Sequence, residues 1–434
     1  MKILRVDCRR ILPSDSYAKS SRNVRFSSSE KVEVTYKISF LTGLAAVLLL
    51  GYQVSFAQEL TGQLRICELS GLTQLERQGA EVSLAVATTG WNVGSLPLNW
   101  YKRPDARHPF ITQALYRIRE GRFEQIGISG VKHGYYVAAN QGCDGQPCQG
   151  ANGQILDSNC TDTYGATLNG SQIDMGPRYE VNPWTGGWIF ATSHFAVPHT
   201  HDGVQQRLRV LDSDLDKASN DSAEYFIEAY YVHYQNLEPS TAAAWRKARV
   251  GGEPQAEWSF DLGDLAQPPK PGFAISSAWQ GAMISEIAQV RPVVRGMSPD
   301  GRCLLASKVR DLGNGKWRYE YALMNIDMDR QVRAFSVPIS SEIEVSDRYF
   351  SAPRQPDERL SSVSGPVTDD SPWISDRGQG RLTWGTTTNP LRWGVMYNFG
   401  FTANRAPTDG ELNLSLFKPG EPSIVTGRTN VPTP

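Results

Sequence analysis

Apolar and polar positions alternate along most of the chain with a period of two, the pattern of strands that bury one face. Val82, Leu84 and Val86 share one face. Leu115, Arg117 and Arg119 alternate with Tyr116 and Ile118 up to Glu120-Gly121, and Phe123 and Ile126 follow, so a β-hairpin is expected there. Arg207 to Leu211 and the aromatic run from Tyr225 predict two more strands, joined by the acidic turn that starts at Asp212. The C-terminal part alternates most regularly. Trp317, Tyr319, Tyr321 and Leu323 form one face, and Phe335, Val337 and Ile339 another. Trp393, Val395, Tyr397, Phe399 and Phe401 form a third, and Leu412, Leu414 and Leu416 are read as the last strand.

Two stretches break the period. Residues 240–249, with Ala242-Ala243-Ala244-Trp245-Arg246-Lys247-Ala248-Arg249, have helical composition and predict a helix. Residues 142–187 are rich in Gly, Asn, Asp and Pro, too long for an ordinary connection and so expected to be functional or stapled. The prolines at 254, 268, 269 and 271 place an interdomain linker at the end of 251–272. The fold class expected is mostly β, with two β-sandwich-like units, the first carrying a long cysteine-bearing irregular loop. The domains expected are 58–271 and 272–434.

An apolar run over 38–54 follows Lys37 and ends at Ser55-Phe56-Ala57, the layout of a secretory signal peptide cleaved after Ala57. Residues 1–57 are therefore expected to be removed, with a start of translation near Val34 as an alternative to a long leader. Neither version places a membrane span in the mature chain. Export implies an oxidising compartment, where disulfides persist. The mature chain has Cys67, Cys143, Cys148, Cys160 and Cys303. Cys148–Cys160 is the pair expected to staple the irregular loop, and Cys67–Cys303 is a weaker candidate across the domains. The 44 basic and 45 acidic residues leave a net charge of −1, so no global field favours nucleic acid.

Three groups of strings resemble a widespread family of exported bacterial proteins with no established activity. The first is His108-Pro-Phe-Ile-Thr-Gln-Ala-Leu-Tyr with Lys132-His-Gly; the second is Leu168-Asn-Gly-Ser-Gln with Gly176-Pro-Arg; the third is Leu391-Arg-Trp-Gly-Val-Met-Tyr-Asn-Phe. The resemblance implies export and a β-rich fold. It carries over no residue roles.

Candidate chemistry concentrates between Asn99 and Asp202, which holds five of the six histidines. His194, His199 and His201 have the spacing H-x4-H-x-H. On a strand, His199 and His201 would face one side and offer both imidazoles to a transition-metal ion, joined by His194 or His133, with His108 a further candidate. Asp212, Asp214 and Asp216 alternate as in the start of a calcium loop, but the glycine and glutamate that complete an EF-hand are replaced by Lys217 and Ala223. Trp184 and Trp188 flank Thr-Gly-Gly and are candidate aromatics for stacking on a polymer. The spacing of a serine-hydrolase nucleophile is absent. The functional expectation is an exported, non-catalytic protein that binds a polymer or an envelope partner. The alternative is a metal-dependent enzyme, an oxidoreductase for instance, built on the histidines.

Overall fold

The structure is a computed structural model that describes residues 62–137, 143–148, 153–236, 238–288, 301–354 and 370–434. The leader lies outside them. Eight strands of the first half enter one sheet: β1 (Leu64–Gln78), β2 (Glu81–Asn92), β3 (Phe110–Arg119), β4 (Arg122–Ile128), β5 (Leu208–Leu211), β6 (Glu224–Val232), β7 (Ala243–Gly251) and β8 (Ser259–Asp261). Their order is β1-β2-β5-β4-β3-β6-β7-β8, and short strands branch from this path. The sheet curls until β1 packs beside β7 and β8 at its other end, a nearly closed barrel. Its interior holds Leu64, Leu84, Val86, Trp100, Leu115, Ile227 and Tyr231.

The second half supplies β9 (Met283–Ala288), β10 (Arg302–Gly313), β11 (Lys316–Asn325), β12 (Val332–Pro338), β13 (Val345–Ser351), β14 (Ile374–Gly378), β15 (Arg381–Gly385), β16 (Val395–Ala403), β17 (Pro407–Leu416) and β18 (Ile424–Pro432). They form two five-stranded sheets, β9-β10-β11-β16-β13 and β14-β15-β12-β17-β18. Tyr319, Tyr321, Phe335, Trp384, Phe399, Phe401 and Leu414 fill the core between the two sheets. The expected mostly-β architecture is therefore present, with the first unit wrapped around its own core. The leucines of β17 do not end it: β18 follows and pairs with β17.

The other face of the β9-β10-β11-β16-β13 sheet is buried too. Ala306, Ala322, Met324 and Met396 pack with Phe123, Phe226 and Trp245 from the outer face of the barrel. Polar bonds fix the register of that contact. Gln125 Oε1 accepts from Met396 N at 2.7 Å, and Asn398 Nδ2 donates to the Phe123 carbonyl at 2.7 Å.

The helix expected over 240–249 is a correction. Only a 3-10 turn forms, over Pro239–Ala242, and Ala243–Gly251 is strand β7. Its residues pair with β6 from Tyr225↔Ala248 to Tyr230↔Ala243. Ala244 and Ala248 enter the barrel core while Ala243 and Trp245 enter the core on the other side. Helix propensity is a fraction of a kcal/mol per residue, and six cross-strand pairs with burial on both faces outweigh it.

The irregular stretch is stapled by Cys148–Cys160, as expected, and the Cys160 side chain sits in the barrel core. A second disulfide joins Cys67 to Cys143, 76 residues apart. The Cys67–Cys303 pairing is thus excluded, and Cys303 is a buried free thiol. Among the described residues no helix is long and apolar enough to cross a membrane.

Candidate functional site

The histidines gather beside the start of β3. The short strand Val131–His133 pairs there through Phe110↔His133 and Ile111↔Lys132, and on its other edge with Met175–Gly176. This register brings Lys132-His133-Gly134 against His108 and the Gly176-Pro-Arg string. His108 Nδ1 lies 2.6 Å from the Asp105 carbonyl, which can only accept, so Nδ1 carries the proton. The bare His108 Nε2 then accepts from His133 Nδ1 at 3.0 Å. His133 is left with a lone pair on Nε2, buried and without a hydrogen-bond partner. Burial lowers the pKa of His108 to about 4 and that of His133 well below its ordinary value, so both rings are neutral at physiological pH. Lys132 is also buried. Its Nζ donates to the His133 carbonyl at 2.7 Å and lies 3.7 Å from Asp174, and desolvation lowers its pKa to about 8.

His194 lies in the turn His194–Ala196. Its Nδ1 is 3.0 Å from Glu180 Oε2 and its Nε2 is 3.0 Å from the Met175 carbonyl. Both ring nitrogens are therefore committed to fixed partners, and neither is left open to a metal. The contact is close. A Cβ on Gly176 would stand 2.3 Å from His194 Cε1.

His199 and His201 lie on an irregular segment rather than the strand expected. Their ring centres are nonetheless 5.0 Å apart, and those of His194 and His199 are 4.8 Å apart. His199 Nδ1 donates to the Val197 carbonyl at 2.9 Å, leaving its Nε2 bare. Neither nitrogen of His201 has a partner, and desolvation lowers this ring's pKa to about 4. Arg103, Ile173, Phe195 and Pro198 join the two histidines around a cavity of about 490 Å³. Among the described residues no three or more His, Cys, Asp or Glu side chains are placed to hold one metal ion. The sequence pattern brought the rings together. It did not show that His194 is already bound on both sides.

The other candidates separate. Asp212 accepts from Trp258 Nε1 at 2.7 Å and from Arg77 at 2.6 Å, Asp214 takes Arg117 at 3.0 Å, and Asp216 accepts from Ala218 N and Ser219. Each carboxylate is committed to a different donor, so the three do not form the shared oxygen cage expected for calcium. Trp184 and Trp188 are only 8 % and 5 % exposed, so they do not form the expected stacking platform. Trp188 instead covers the imidazole pair, its ring 4.7 Å from that of His133 and 5.4 Å from that of His108.

Two buried ionisable residues went unrecognised in the sequence. Arg178 is fully buried, with its guanidinium stacked 4.9 Å from the Trp393 ring. It donates to the carbonyls of Trp393 at 3.1 Å and Ser129 at 2.5 Å, and to Thr112 Oγ1. Members of all three resembling strings therefore meet at one side chain. Glu228, also buried, accepts from Tyr116 Oη at 2.9 Å and Ala274 N at 2.6 Å. Desolvation with no cation beside it raises its pKa to about 7.

On the outer face of β6 and β7, Phe226 and Trp245, with Trp279 opposite, line a cleft of about 1100 Å³. Its basic residues Arg246, Lys247, Arg249, Lys270 and Lys308 outnumber Glu224, Asp261 and Asp264. Glu224 pairs with Lys247, and Asp261 with Arg249 at 2.6 Å. Lys270 and Lys308 enter none of the ion pairs of the described residues.

Neither a family model nor a curated protein matches the chain. A solved structure titled "Complete structure of manganese lipoxygenase of Gaeumannomyces graminis and partial structure of zonadhesin of Komagataella pastoris" overlaps 84% of this chain and 94% of its own, at 8% identity and a TM-score of 0.20. At that score the likeness carries no argument about fold or function.

Proposed function

We propose that the chain is an exported protein that binds a polymer rather than one that turns over a substrate, and that the cleft on β6 and β7 receives an acidic polysaccharide. The observation that carries this reading is the basic excess of the cleft, five basic residues against three acidic ones; among the described residues Lys270 and Lys308 enter no ion pair, and Lys308 Nζ donates to the Gln280 carbonyl at 3.0 Å. Carboxylate groups along a sugar chain would meet these lysines by charge-assisted hydrogen bonds. The two disulfides fit an oxidising compartment.

The test is binding to immobilised acidic and neutral polysaccharides. Retention on the acidic matrix, weakened by added salt and lost in Lys270→Glu/Lys308→Glu, is the expected result. Equal retention on both matrices, or no effect of the double substitution, would sink the reading.

A further inference from the structure

We infer that His199 and His201 form a two-imidazole site for a borderline transition-metal ion, Cu(II) or Zn(II), whose remaining coordination positions face the adjacent cavity. This inference is independent of the polysaccharide cleft.

Three observations carry it. The first is the spacing. With metal–nitrogen bonds of about 2.0–2.1 Å, two imidazoles on one roughly tetrahedral ion have ring centres about 5 Å apart. The two rings stand 5.0 Å apart without a metal. The second is the tautomer of His199. A ligating histidine characteristically gives its other N–H to a carbonyl, which turns the ring and leaves the opposite lone pair for the ion. The Nδ1 contact of His199 with the Val197 carbonyl does this. The third is that both His201 nitrogens are buried and without a hydrogen-bond partner, so this ring has a donor atom uncommitted to the fold.

The neighbours define what the site takes. His194 is near enough to pack on His199 but is spent on Glu180 and Met175, which fixes the protein's contribution at two imidazoles. Imidazole donors suit copper and zinc, whereas calcium and magnesium prefer oxygen. Arg103, the cation lining the cavity, is paired with Asp174 at 2.9 Å, so its charge is partly offset. The cavity of about 490 Å³ leaves room for water or a small anionic ligand to complete the ion's coordination.

The experiment is a Cu(II) titration of the full mature chain, purified without a histidine tag, followed calorimetrically and by electron paramagnetic resonance at one equivalent. One ion per chain is expected, with hyperfine coupling to two ring nitrogens. His199→Ala and His201→Ala should each weaken binding about tenfold or more and remove one nitrogen coupling, and Zn(II) should compete. Unchanged near-ultraviolet circular dichroism in both variants separates this result from misfolding. Binding that survives both substitutions, or no saturable binding up to roughly 100 µM Cu(II), a free energy of about −5.5 kcal/mol, would overturn the inference.

Discussion

Glu228→Gln should remove a pH-dependent cost from the folded protein. Glu228 is buried between Tyr116 and the Ala274 amide, with no cation beside it, and its pKa rises from its ordinary 4.5 to about 7. The folded state therefore holds this proton more tightly than the unfolded chain does. The resulting stabilisation is fully present below pH 4.5 and is lost as pH rises through about 7. At 1.36 kcal/mol per pH unit, the whole effect is about 3 kcal/mol. A glutamine matches the protonated acid in shape. Its oxygen can accept from Ala274 N while its amide donates to the Tyr116 oxygen. Urea denaturation of wild type and variant across pH 4 to 8.5 isolates the term, because other titrating groups largely cancel in the difference. The variant should gain roughly 3 kcal/mol on the wild type between the two ends. A difference that stays flat with pH would refute the argument, because Glu228 would then titrate alike in the folded and unfolded states.

Three further perturbations test the framework around the histidines. Replacing Cys148 and Cys160 together with alanine opens a loop with a sequence separation of 12 and should cost about 3 kcal/mol, read from the denaturation midpoint of oxidised protein. Arg178→Met strips the hydrogen bonds from the carbonyls of Ser129 and Trp393 and should destabilise by about 3 kcal/mol or more, with loss of the near-ultraviolet signal of Trp393. Gly176→Ala drives a methyl into the His194 ring and should cost about 1–3 kcal/mol; a melting temperature equal to wild type would show that the ring yields freely.

The β architecture was legible because most strands bury one face and the period of two survives in the sequence. Tyr319 was placed with Tyr321 on one strand face and Phe399 with Phe401 on another on that ground alone, and all four lie in the sandwich core. β7 was misread because its alanines and basic residues describe composition, whereas its conformation is set by pairing with β6. Cys148–Cys160 could be anticipated from a short polar loop. Cys67–Cys143 could not, because it joins strand β1 to the irregular stretch across a sequence separation of 76. The histidine spacing foretold proximity, but the partner of each second ring nitrogen is a tertiary property. The same holds for Arg178, whose acceptors at 112, 129 and 393 lie far apart in sequence.

Hydrogen–deuterium exchange of the mature chain, with and without an acidic polysaccharide, tests the central claim most directly. Slower exchange in β7 and across residues 262–280, with the sandwich strands β14 to β18 unchanged, is the predicted footprint. Protection confined to another surface, or none at saturating polysaccharide, would contradict the assignment of the cleft as the binding site.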